Sequence, residues 1–279
     1  SGTELANAEG APIFVAVHRA RAVAEARETE GDGSCKTTVI DPEISLRPSI
    51  ETTFHAALDQ PVVAHTHSVA TLVHVISPEG RVAAQDKLAG LDFAMVPYAK
   101  PGLPLTRKIL ARVTPETRII LLQNHGLICC GPSVETVAGT IAEVERRLAM
   151  PARPMPPAAA AGAAPEGFGW ADEGWLACDT RARSLATAGS YYPDHVVFLG
   201  AALPLRDHAG APPAVLQDGH GVALRHAATP PQRAMLRCLS DVLSRLPEDW
   251  QAEPIGAAAE AELLNWDAEK YRQALAART

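Results

Sequence analysis

A chain of 279 residues is long enough to bury a sizeable core, and its length suits one large domain or two smaller ones. Hydrophobic residues make up 47% and charged residues 20%, an ordinary globular balance. The apolar runs stop well short of the roughly 20 residues that span a bilayer. A net charge of −7 with no basic run argues against nucleic acid or an anionic membrane as the main partner.

In chain order, the abrupt opening Ser1-Gly2-Thr3 leads us to expect native residues ahead of it, because Ile13 to Val17 reads as a strand with little upstream to pair with. Arg19 to Glu30 reads as a polar helix that Gly31-Asp32-Gly33 breaks. Ser49 to Leu58 reads as a helix with Ser49 as N-cap, since Ile50, Phe54 and Leu58 share a face and Glu51 falls in the first turn. Pro61 to Thr66 is a strand, Ser68 to Ile76 a helix, Gln85 to Leu91 a helix, Phe93 to Pro97 a strand and Leu105 to Val113 a helix. Arg118 to Gln123 forms an apolar strand that runs into Asn124-His125-Gly126 and out again through Leu127 to Cys130. Gly131-Pro132-Ser133 then caps a long helix from Val134 to Ala149.

The stretch 150–167, rich in Pro, Ala and Gly, reads as a linker. Beyond it we expect a helix over Asp172–Ala186, a strand over His195–Leu199 and a hairpin over Val215–Leu224. Two helices come after these, over Gln232–Leu246 and Ala257–Ala277. This divides the chain into 1–149, a linker at 150–167 and an extension at 168–279. Strands and helices alternate up to residue 149, so the class is α/β, or α+β with helices on a mixed sheet.

Two histidines close the strand that starts at Pro61. Residues i and i+2 of an extended backbone share a face, so His65 and His67 can reach one point. His125, at the end of another apolar strand and followed by Gly126, is the third candidate ligand. A catalytic zinc takes three protein ligands and keeps a position open for substrate. Glu51 is the candidate acid/base group: a carboxylate near a zinc-bound carbonyl compound removes the adjacent proton and leaves an enediolate that the metal stabilises. Taken singly, the same residues suit packed histidines bonded to carbonyls and a solvated carboxylate. Cys35, Cys129, Cys130, Cys178 and Cys238 are odd in number and lack disulfide or zinc-knuckle spacing, so buried thiols in a reducing, cytoplasmic setting are expected.

The runs Arg47-Pro48-Ser49-Ile50-Glu51, Phe54-His55-Ala56-Ala57, His65-Thr66-His67-Ser68 and Gln123-Asn124-His125-Gly126-Leu127 resemble the class II aldolase/adducin family. The best-known enzymes of that family are the fuculose- and rhamnulose-phosphate aldolases. The resemblance implies a three-layer α/β/α sandwich, a zinc ion (or another divalent metal) on His65, His67 and His125, and Glu51 as general base and acid. It also implies a homotetramer acting on a sugar phosphate. The small-residue turn Ser1-Gly2-Thr3, with Ser49, resembles the family's phosphate-binding elements, although Ile50 replaces one of its serines. The implied reaction is reversible cleavage of a ketose 1-phosphate, or a related sugar phosphate, to dihydroxyacetone phosphate and an aldehyde. A sugar-phosphate 4-epimerase or dehydratase of the same family, or a non-catalytic adducin-like scaffold, are the alternatives. The region after the linker resembles the segment that joins an aldolase domain to a dehydrogenase in long bacterial members, but no GxGxxG-type nucleotide loop occurs in it. His55 is a candidate to orient Glu51, and Tyr191 and Tyr192 are read as structural. His74 is read as packing, and His18, His195, His208, His220 and His226 as surface or locally bonded.

Overall fold

The computed structural model describes residues 8–10, 13–27, 33–158, 162–207 and 210–277. The branched apolar run Val62–Thr66 forms β1, which pairs antiparallel with β4 (Gly126–Gly131), Val62 opposite Gly131 and Thr66 opposite Leu127. β2 (Phe93–Val96) and β3 (Ile119–Leu122) run parallel, and the sheet order is β1-β4-β3-β2. β3 and β4 are buried along their whole length, as continuous apolar strands should be. With helices between the strands, the class is α/β, as the alternation predicts.

The contacts gather the chain into two compact units. The first takes in the described residues up to Thr66, with 90–123 and 127–144. It holds the four-stranded sheet, α1 (Arg19–Arg27), α2 (Thr52–Ala57) and α5 (Leu103–Leu110). Phe54 and Leu58 meet Val96, Leu105, Ile109, Ile120, Leu122 and Ile128 in its core. Each such side chain contributes about 1.5–3 kcal/mol on burial, so this cluster fixes where α2 lies on the sheet.

The second unit takes in 67–89, 124–126 and the described residues from Glu145 onward. It contains α3 (Val69–Val75), α4 (Pro78–Lys87) and the end of α6 (Val134–Leu148). Its three-stranded sheet is ordered β5-β7-β6, from Phe168–Trp170, Gly221–Arg225 and Ala214–Gln217. Its remaining helices are α7 (Trp175–Cys178), α8 (Thr180–Ala188), α9 (Pro193–Leu199), α10 (Pro230–Arg245), α11 (Ala257–Leu264) and α12 (Asp267–Ala276). The Pro-rich stretch is tied into this unit: the Arg153 backbone N–H donates to Ser244 O at 2.8 Å, and its guanidinium meets Asp179 at 2.9 Å.

Several elements differ from the sequence reading. Ile13 to Val17 is not a strand, because Val17 makes a single isolated bridge to Val39 and Phe14 is exposed. The helix expected at Gln85–Leu91 is α4, which already starts at Pro78, with Ser77 Oγ accepting from Gly80 N–H. The expected strand His195–Leu199 is part of helix α9. Its run of branched residues is buried on all sides, which gives no period to distinguish helix from strand, and Pro193 starts it. Asp179 caps Ala182 N–H and splits the expected Asp172–Ala186 helix, while the last predicted helix breaks at Asn265-Trp266. The hairpin at 214–225 forms as expected. Among the described residues no helix is long and apolar enough to cross a membrane, and no disulfide joins the cysteines.

Candidate metal centre

His65 lies in β1 and His67 just past its end, on the face that period 2 assigns to both. His125 occupies the turn between β3 and β4. That turn is built by Asn124, whose φ of 52° places it in the left-handed region that Asn tolerates better than most residues. The Asn124 side-chain amide donates to Tyr191 O at 3.0 Å and to Glu253 O at 2.7 Å, and its backbone N–H donates to Val75 O at 3.3 Å. Three bonds on one residue hold the preceding and following backbone, and with it His125, which is 2% exposed.

Each of the three histidines offers one ligand nitrogen, and the three lie within 4.8 Å of one another. Two nitrogens on one zinc, each at its ordinary bond length, are about 3.4 Å apart. A modest inward movement of side chains is therefore enough to gather them on an ion. The proton positions fit as well. Leu127 O can only accept, so His65 Nδ1, 2.9 Å away, carries the proton and leaves its Nε2 lone pair for a metal. His67 Nδ1 is 2.9 Å from Asp194 Oδ2, which likewise leaves Nε2 as the ligand atom. Burial opposes the charge on Asp194, but Arg272 and His67 outweigh it and hold the carboxyl well below the usual carboxylate range. Three imidazoles, two of them with their far nitrogens engaged in this way, form a donor set that suits zinc or a similar borderline-soft dication.

Glu51 stands at the start of α2, and its backbone N–H donates to Ser49 Oγ at 3.3 Å. Its Oε2 lies 3.6 Å from His65 Nε2, and the two side chains are 14% and 8% exposed. The carboxylate is thus beside the ligand set while spared bulk solvent. His55 stacks on Phe54 with ring centroids 4.5 Å apart. Burial pulls its pKa down, partly offset by the Glu51 charge and a bond to the Val63 backbone. A cleft of about 720 Å³ is lined by Arg19, Arg47, Ser49, Thr52, His55 and His65 among others. Ser49 therefore sits in the cleft wall, whereas Ser1, Gly2 and Thr3 lie outside the described residues.

Residues 29–151 match the profile of the class II aldolase and adducin N-terminal domain. This stretch belongs to the class II aldolase/adducin family. The chain is similar, at 38% identity over 92 residues, to an uncharacterized oxidoreductase, YuxG, of Bacillus subtilis strain 168. That match covers 32% of this chain and 13% of the relative, so the chain spans a small part of the longer protein. Among solved structures, the N-terminal class II aldolase domain of a conserved protein from Thermoplasma acidophilum is similar at 23% identity and a TM-score of 0.44, over 48% of this chain and 64% of that one. An aldolase II superfamily protein from Pseudomonas syringae is similar at 23% identity and a TM-score of 0.34, over 40% and 48%.

Two features of this site escape a reading of the sequence. Asp194 and Arg272 obey no spacing rule relative to the histidines, and only the Pro193 helix start hints that Asp194 is fixed in place. Asn124 reads as part of a motif, without its anchoring bonds. Tyr191 and Tyr192 are structural: both are fully buried, and their hydroxyls reach Leu185 O at 2.8 Å and Cys238 Sγ at 3.5 Å. His74 packs as expected, its ring edge-on to Trp250 and its Nδ1 on Ala70 O at 2.8 Å.

Proposed function

We propose that the protein is a zinc-dependent lyase that reversibly cleaves a ketose 1-phosphate, or a related sugar phosphate, to dihydroxyacetone phosphate and an aldehyde. The observation that carries this reading is the placing of the Glu51 carboxylate 3.6 Å from Nε2 of His65, itself one of three histidines whose nitrogens lie within 4.8 Å. His65, His67 and His125 would hold the ion, which when bound supplies a Lewis acid that polarises the substrate carbonyl. Glu51 handles the proton at the carbon next to that carbonyl. In cleavage the bond between C3 and C4 breaks, the C4 hydroxyl gives its proton to Glu51 as it becomes the aldehyde, and Glu51 passes a proton on to C3. In synthesis Glu51 removes that proton. Ser49 fixes the backbone from which Glu51 projects, and the buried setting keeps bulk water from competing for the proton.

The cleft lined by Ser49, His55 and His65 is the substrate-binding region in this reading, with Arg19 and Arg47 adding positive charge to its wall. By the family resemblance the enzyme is a homotetramer, and its thiols suit the cytoplasm. The test is to load the protein with Zn2+ and incubate it with a panel of ketose 1-phosphates, measuring dihydroxyacetone phosphate by a coupled reduction. Release from at least one of them, abolished by chelator and restored by Zn2+, is the expected result. No release from any of them by fully zinc-loaded protein overturns the proposal.

A further inference from the structure

The strongest group of interacting side chains not used by the reaction lies in the extension. Asp194 is in the first turn of α9, directly after Pro193. Both of its oxygens are engaged: Oδ2 with His67 Nδ1 and Oδ1 with an Arg272 terminal nitrogen, each at 2.9 Å. Arg272, on α12, turns its other terminal nitrogen to both oxygens of Glu269, at 3.1 and 2.9 Å, one helical turn back. Its guanidinium also lies 5.5 Å from the ring centre of Phe198. Glu269 is 1% exposed, and a carboxylate that deep is tolerated only when it is paired. Glu269, Arg272 and Asp194 therefore form a held series that ends on the far nitrogen of His67.

Two details favour a task at His67 over simple packing. The series presents a carboxylate, held from behind by a guanidinium, to an imidazole. His65 has its Nδ1 satisfied by a neutral carbonyl, so of these two candidate ligands one is backed by a carboxylate and the other is not. A carboxylate on the far nitrogen holds the proton at Nδ1, fixes the ring plane and makes Nε2 more basic toward a metal.

We propose that Asp194, held by Arg272 and Glu269, is a positioning residue that orients and strengthens His67 as a metal ligand, so that the segment beyond the linker completes the metal centre. This rests on the reading of His65, His67 and His125 as a metal site. The test uses Zn2+ and Co2+ alone, with no substrate. Zn2+ affinity is measured by chelator competition for the full-length wild type, Asp194→Asn and Arg272→Met, and Co2+ spectra report the coordination. Wild type should bind Zn2+ tightly. Asp194→Asn keeps the shape and an acceptor but loses the charge, and should bind 10- to 100-fold more weakly. Arg272→Met should weaken binding in the same direction.

Because either substitution can cost the protein its fold, a second measurement uses wild type only. In metal-free protein near neutral pH, histidine 15N–1H spectra should find His67 protonated at Nδ1. Tight binding by wild type with unchanged affinity in folded Asp194→Asn overturns the inference and leaves the metal site standing, as does a His67 whose proton is at Nε2 alone. Failure of wild type to take up either ion overturns the metal site itself, and the inference with it.

Discussion

Asp194 Oδ2 and His67 Nδ1 lie 2.9 Å apart, although 127 residues separate them along the chain. The histidine belongs to the short stretch around β1, and the carboxylate belongs to α9, beyond the Pro-rich segment. A candidate ligand from one part of the sequence thus meets a carboxylate from another.

Removing a ligand is the simplest check on the metal centre. His67→Ala and His125→Ala each leave two histidines, which are too few to hold a catalytic zinc firmly. Metal analysis after dialysis against trace Zn2+ should find close to one ion per chain in wild type and little in either variant. Circular dichroism should show both variants folded, since His67 is partly exposed and His125 sits in a turn that Asn124 anchors.

Glu51→Gln keeps the size of the side chain and removes its ability to take a proton. Turnover should fall about 10²- to 10⁴-fold. The zinc content should stay at the wild-type level, because Glu51 stands beside the three ligands and is not one of them. Unchanged turnover at full zinc loading would remove Glu51 from the proton-transfer role.

Asn124→Ala should cost stability on two counts. The substitution deletes two donated bonds to backbone carbonyls, each with a net contribution of about 1 kcal/mol, and it leaves Ala at a φ of 52°. The left-handed conformation adds about 1 kcal/mol for a residue with a plain Cβ. Urea unfolding should show a loss of about 2–4 kcal/mol in total. Asn124→Gly, which relieves the backbone but not the lost bonds, should fall between that variant and wild type.

Acid should weaken the fold partly through His74. Burial brings its pKa from 6.5 to about 4, the Ala70 carbonyl opposing and the Lys87 charge assisting. A folded-state pKa below the unfolded one means that the unfolded chain binds more protons between these values, so stability rises with pH across that window. The contribution is complete above about 6.5, is lost as pH falls toward about 4, and changes no further below that. It amounts to about 3 kcal/mol at most. Unfolding measured from pH 7 to 4 should be visibly flatter in His74→Gln than in wild type.

How much of the fold and the site can be read in the sequence depends on how local each signal is. His65 and His67 are legible because strand period puts them on one face, and His125 because Asn124 and Gly126 mark a turn after an apolar strand. The alternation of strands and helices also carries the α/β class. The apolar run at Ile13–Val17 misleads because composition resembles a strand whether or not a partner exists, and the structure gives Val17 one isolated bridge. The run Val196–Leu199 misleads for the opposite reason: it is buried all round, so its branched residues report burial and not period. Asp194 and Arg272 have no local signal, since only the folded chain brings α9 and α12 to His67.

The central claim is that His65, His67, His125 and Glu51 together make a metal-dependent site that moves a proton beside a carbonyl. The most direct measurement is proton NMR of dihydroxyacetone phosphate incubated with zinc-loaded protein in deuterated water, because exchange needs the chemistry but no aldehyde. The account predicts that one carbon-bound hydrogen exchanges, and that exchange disappears on zinc removal and in Glu51→Gln. Zinc-loaded wild type that leaves both hydrogens in place would contradict it.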